Sequence, residues 1–214
     1  MYRENARIRN SSSHLDVDSC ARGAPCWRDA SFGLPKPVPP YVRAWILLDT
    51  SMTRALQQTF GPEMSVQVVH DSSGSLLADE RTLLNTTDQA GHVREVVLWC
   101  GRQSRLVART VYVSSKLRAH QELNSLGSRP LGELLFARDT PRWLKREFTV
   151  IEAHMALFAL VRRAPGTADT PCWARRTVFL LEHEHLLVTE IFLPAMFSQG
   201  CVAPPNDLLS GDES

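Results

Sequence analysis

Apolar residues along this chain recur with two spacings, and the boundaries between them outline the fold. Alternation with period two marks MSVQVVH (64–70), HVREVVLWC (92–100) and RLVARTVYV (105–113), the last two joined by the hairpin-like link Gly101-Arg102-Gln103-Ser104. A second hairpin, ARRTVFLLEHEHLLVTEIFLP (174–194), turns at Glu182 to His185. KREFTVIEAHMALFALV (145–161) fits strand and helix equally well. Helical spacing links Val42, Trp45, Ile46, Leu48, Met52, Leu56 and Phe60 and stops at Gly61-Pro62. The Asp49-Thr50-Ser51 cluster within it resembles an N-cap, so one bent helix and two short ones fit alike. SKLRAHQELNSLG (115–127) and PLGELLFA (130–137) predict two further helices, stopped at Gly127 and opened by Pro130.

Six candidate strands and three or four helices result, without β-α-β alternation. That order favours an α+β fold on an antiparallel sheet of about six strands over a doubly wound one. Residues 1–33 are polar and Gly- and Ser-rich, predicting a disordered N-terminal tail that runs into the Pro-dense LPKPVPPY at 34–41. SQGCVAPPNDLLSGDES (198–214) predicts a flexible C-terminal tail, which leaves one domain over 34–197.

Composition narrows the partners. A chain of 214 residues with 43% hydrophobic and 22% charged positions has enough apolar residues for one sizeable core, and a net charge of +1 gives no support for bulk nucleic-acid binding. No apolar run reaches the ~20 residues a membrane span needs. The N-terminal stretch lacks the apolar segment of a secretory signal, so the expected location is the cytoplasm. Five cysteines without C-x-x-C spacing read as reduced thiols, not as a metal site, with a small Cys20–Cys26 loop closed under oxidation as the lesser alternative, and nothing demands more than a monomer.

The informative charges are those in phase with apolar strand residues. Glu190 shares a face with Leu186, Val188 and Phe192; Arg94 with Val96 and Leu98; Arg109 with Val107, Val111 and Val113. Burying a lone charge costs several kcal/mol, so each must be paired or serve a ligand. Two arginines against one carboxylate leave positive charge over, and a dianionic small molecule would neutralise it. Structural ion pairs or strand-end positions account for the same pattern. Other motifs are weaker. Glu182-His183-Glu184-His185 has no third metal ligand and reads as an exposed turn. His154 reads as a core residue, Arg175-Arg176 as a solvated face or hairpin end, and Ser51, Ser114 and Ser115 lack a nucleophile-elbow context.

WILLDTSMTRALQ (45–57), VREVVLWC (93–100), ARTVYV (108–113), LGSRPLGELLF (126–136) and LLVTEIFLPA (186–195) occur in this order, and together they resemble the chorismate pyruvate-lyase family. The resemblance implies a single antiparallel sheet with helices closing over a buried ligand pocket, and conversion of chorismate to 4-hydroxybenzoate and pyruvate at the head of ubiquinone synthesis. It places substrate-binding positions on Met52, Arg94, Arg109, Leu131 and Glu190. Chorismate carries a ring carboxylate and an enolpyruvyl carboxylate, and its breakdown is an elimination driven by aromatisation, which calls for no redox cofactor or metal. Arg94 would hold one carboxylate, Arg109 the other or Glu190 itself, and Glu190 would act as general acid on the ether oxygen. Two positions depart from the family pattern: Ala108 stands where G-R-T has glycine, and Trp99 occupies the expected cysteine position, so Cys100 should have no pocket role. The alternatives are a related lyase acting on a modified chorismate and a non-catalytic carboxylate sensor of similar fold, although residues 1–33 show no helix-turn-helix pattern.

Overall fold

Each strand pairs antiparallel with its neighbours, in the order β1-β5-β6-β7-β4-β3-β2. The strands are β1 (Arg28–Asp29), β2 (Met64–Ser75), β3 (Ala90–Cys100), β4 (Gln103–Tyr112), β5 (Trp143–Ile151), β6 (Cys172–Leu181) and β7 (Glu184–Phe192). This computed structural model describes residues 24–29, 38–113, 120–136, 142–181, 184–198 and 203–205. The six expected strands are β2 to β7; the seventh is the two-residue β1, which pairs with β5 and lies before residue 34. The two expected tails otherwise fall almost wholly outside the described residues, as do Ser114, Ser115, Glu182 and His183.

β2 runs five residues past its apolar part. DSSGS has no alternation to announce a strand, but it lies at the edge of the sheet and pairs with β3 alone. The ambiguous segment 145–161 divides: its first part is β5, and its last part is the short helix α6 (Phe158–Val161). His154 falls in the turn between them with its side chain mostly exposed, not in the core.

The remaining helices are α1 (Pro40–Ile46), α2 (Met52–Phe60), α3 (Ala78–Leu83), α4 (His120–Asn124) and α5 (Leu131–Leu135), with a 3₁₀ turn at Pro194–Phe197. Ser51 decides between one bent helix and two, because its Oγ accepts the Arg54 N–H at 3.4 Å and caps α2. α2 ends at Gly61 with φ 100°, a conformation that disfavours any side chain.

The sheet buries both faces. Its front packs Val96, Leu98, Leu106, Phe148 and Phe192 against Trp45, Ile46, Leu56 and other residues of α1 and α2. Toward the opposite strand ends, Tyr112, Phe179 and Leu186 pack against Leu123 and Leu126 from the α4 region. The back places Val97, Val107, Ala174 and Ile191 under α6, and Val93, Val111 and Leu187 under Leu76 and Leu84 at the two ends of the α3 segment. Cys100 and Cys172 are buried free thiols, whereas Cys26 is disulfide-bonded, against the expectation of reduced thiols throughout.

Candidate active site

A cavity of roughly 740 Å³, mouth included, opens on the front face between the sheet and the helices. Its floor is apolar, formed by Val66, Val96, Leu98, Leu106, Ala108 and Val188. Met52 and Thr53 enter from the start of α2, and Leu131, Leu135 and Phe136 enter from α5. α5 can lie this close because Gly132 has no side chain; a Cβ there would stand 3.0 Å from Ser51 Oγ and 3.2 Å from Thr53 Oγ1. Ala108 puts a methyl group into the floor where the family pattern has glycine. Cys100 is buried in the neighbouring core and does not line the cavity.

Charge enters through four side chains, Arg94, Arg146, Arg175 and Glu190, all at most 8% exposed. Glu190 and Arg175 face each other on β7 and β6, and the guanidinium grips the carboxylate through Nε to Oε2 and through Nη2 to Oε1, the latter at 3.3 Å. Arg175 Nη1 also donates to the carbonyls of Trp45, Ile46 and Leu48 at 3.4, 3.3 and 2.7 Å. The C-terminal end of α1 presents its unsatisfied carbonyls there, so one buried cation holds both that helix end and Glu190.

Arg94 points into the cavity from β3. Its Nη1 donates to Asp71 Oδ2 on the neighbouring strand, and Asp71 Oδ1 lies 2.7 Å from His92 Nε2. Arg94 Nη2 donates to the carbonyls of Gly127 and Arg129 at 2.7 and 3.3 Å, tying the α4–α5 connection to the sheet. Arg146 donates through Nε to Thr177 Oγ1 at 3.2 Å, and through Nη1 to Asp49 Oδ1 at 3.1 Å and the Leu48 carbonyl at 3.3 Å. Burial, and after it the charge of Arg175, pushes this guanidinium down to about 10, still protonated at neutral pH. Three arginines and one carboxylate line the cavity, while Asp71 and Asp49 answer Arg94 and Arg146 from outside the lining.

Of the residues singled out from the sequence, the structure brings Met52, Arg94, Leu131 and Glu190 together around this cavity. Arg109 does not join them. Its neighbours Ala108 and Thr110 line the cavity, so alternation sends Arg109 to the back of the sheet. There Nε and Nη2 donate to Glu80 at 2.7 and 3.1 Å, and Nη1 donates to Glu95 at 2.7 Å. Burial alone would lower its pKa, but the hydrogen bonds and charges of the two glutamates hold it above its usual range. The adjacent acid Asp79 pairs with Arg176, which also holds Glu147. Two consecutive acids of α3 thus dock that helix on two back-face arginines, and the reading of Arg109 as a ligand contact gives way to a structural ion-pair network.

Arg175 and Arg176 are therefore not a solvated face: 4% and 6% exposed, they serve opposite sides of the sheet. The signal was available, since adjacent residues inside a strand buried on both faces must both enter buried surroundings. Arg146 had no comparable signal, because its segment read equally as helix.

An antiparallel sheet roofed by short helices over a cationic, largely apolar cavity defines an α+β domain built to enclose a small organic anion. The chain belongs to the chorismate lyase family, whose profile matches residues 28–202. It is 32% identical over 164 residues to the probable chorismate pyruvate-lyase of Nitrosospira multiformis, covering 76% of this chain and 91% of that one. It is 35% identical over 159 residues to the probable chorismate pyruvate-lyase of Methylococcus capsulatus, covering 73% and 97%. Among solved structures, the effector domain of PhnF from Mycobacterium smegmatis aligns with a TM-score of 0.48 at 11% identity, covering 62% of this chain and 82% of that one. No helix among the described residues is long and apolar enough to cross a membrane.

Proposed function

We propose that this protein is a chorismate pyruvate-lyase that converts chorismate to 4-hydroxybenzoate and pyruvate, the first step of ubiquinone synthesis, acting as a cytoplasmic monomer. The observation that carries the reading is the buried Arg94, Arg146, Arg175 and Glu190 constellation around an apolar cavity, in a chain of the chorismate lyase family. Three guanidiniums in the lining suit the carboxylates of a dianion, and the apolar floor suits its ring. Met52 and Leu131 close on the ring from above, and Arg94 meets a carboxylate.

In the reaction the ether C–O bond breaks with its electron pair leaving on oxygen, the ring gives up one proton as it becomes aromatic, and the released enolate takes one proton at its methylene carbon to become pyruvate. Both oxygens of Glu190 accept from Arg175, which is the geometry of an ionised carboxylate. That favours Glu190 as the acceptor of the ring proton over the general-acid role on the ether oxygen. Arg175 positions it, and the roof of α2 and α5 keeps bulk water from the developing charge. Arg109 is left out of this assignment because it serves the back of the sheet.

Purified protein incubated with chorismate should release 4-hydroxybenzoate and pyruvate in equal amounts. A folded protein that binds 4-hydroxybenzoate but forms none would instead be a carboxylate binder. Turnover confined to a ring-substituted chorismate would shift the substrate within the class.

A further inference from the structure

The register of the sheet places two guanidiniums at opposite ends of one cross-strand row. Arg146 on β5 pairs with Thr177, Thr177 with Val188, Val188 with Thr110, and Thr110 with Arg94 on β3. The row ends at Asp71 on β2. Four strand steps of about 4.8 Å put the backbones of Arg146 and Arg94 roughly 19 Å apart, with the smaller Thr177, Val188 and Thr110 in the row between them. Both line the same cavity. Glu190 sits two residues further along β7 than Val188, on the same face, so its carboxylate lies beside the span between the two arginines.

The three lining arginines differ in how their charge is met. Glu190 takes Arg175 at both oxygens, and Asp71 takes Arg94. Among the described residues Arg146 is paired with one carboxylate, Asp49, whose side chain is 55% exposed and whose Oδ1 is shared with Trp143 Nε1. Another buried cation, Arg175, stands on the adjacent strand. Burial first, and the charge of Arg175 after it, lower the pKa of Arg146 by more than Asp49 and Glu190 raise it. An exposed, shared carboxylate is a weak counter-ion, whereas a ligand carboxylate inside the cavity would be a strong one.

We propose that Arg146 is the second carboxylate anchor, holding the enolpyruvyl carboxylate that leaves as pyruvate, while Arg94 holds the ring carboxylate that stays in the product. This rests on the lyase reading above. Arg94 lies on the side roofed by Leu131, Leu135 and Phe136, where an aromatic product packs. Arg146 lies by the α1–α2 connection, through Leu48 and Asp49. A dianion stretched between them brings its ether linkage toward Glu190.

The product keeps one carboxylate and the substrate has two, and the test uses that difference. In Arg146→Gln, KM and Kd for chorismate should rise about ten- to a hundredfold, the loss expected for a charged hydrogen bond. The Kd for 4-hydroxybenzoate should stay near the wild-type value, which also reports an intact fold. Arg146→Lys should recover part of the chorismate affinity, and Arg94→Ala should weaken both ligands. Unchanged chorismate affinity, or equal loss of both ligands in the Gln and Lys variants, overturns the assignment. Wild-type protein that makes no product sinks the lyase reading alone, because the two dissociation constants still test the anchor.

Discussion

Arg175 and Glu190 form a two-point pair on adjacent central strands, buried beneath the helix end that Arg175 also holds. The pair makes Glu190 a fixed group. Glu190→Gln keeps the shape and loses the negative charge, so turnover should fall at least about tenfold, within the range for loss of a positioned proton acceptor, while 4-hydroxybenzoate still binds. Steady-state kinetics beside a binding isotherm separates the two effects, and an unchanged turnover number would remove Glu190 from the chemistry.

Breaking the same pair from the other side has a different signature. Arg175→Met leaves a buried carboxylate without its partner and takes one donor from each of three carbonyls, which should cost about 3–5 kcal/mol of stability. Denaturant midpoints measure this. A double variant, Arg175→Met with Glu190→Gln, should recover part of the loss, because the orphaned charge is gone.

Arg109 should behave as a residue of the scaffold. Arg109→Met orphans Glu80, which is 3% exposed, and Glu95, so a loss of about 3–5 kcal/mol is expected. KM and turnover measured well below the lowered melting temperature should remain near wild type. A large rise in KM in a variant of normal stability would contradict the back-face assignment.

Burial pushes the Cys172 thiol up to about 11 from the ordinary 9.0. Between those values the unfolded chain gives up a proton that the folded chain keeps. The stability contribution is therefore complete below pH 9.0 and falls as pH rises toward about 11. Cys100, also raised by burial against the opposing charge of Arg105, acts in the same direction. Urea midpoints across this window should decline less steeply in Cys172→Ala than in wild type. Equal slopes would place the titration elsewhere.

Much of this was legible along the chain, because local chemistry enforced it. Two-residue alternation located β3, β4, β6 and β7, and Gly61 stopped α2, whereas the Asp49-Thr50-Ser51 cluster left one bent helix and two short ones open until the Ser51 cap separated α1 from α2. The polar half of β2 was invisible, since an edge strand needs backbone pairing and not apolar side chains. β5 was ambiguous because its apolar run continues through a turn into α6.

Alternation also determined which residues share a face: Arg94 with Val96 and Leu98, Arg109 with Val107 and Val111, Glu190 with Val188. It could not say which face encloses the ligand, because both sides of a sheet buried on both faces are apolar and the three misplaced charges look alike. Tertiary structure decided that. α3 brings Asp79 and Glu80 to the back, where they neutralise Arg176 and Arg109, whereas α2 and α5 leave a cavity at the front into which Arg94, Arg146, Arg175 and Glu190 project. The sequence determined that buried charge had to be answered; the packing of helices on two faces determined which arginines are locked under a helix at the back and which line a cavity at the front.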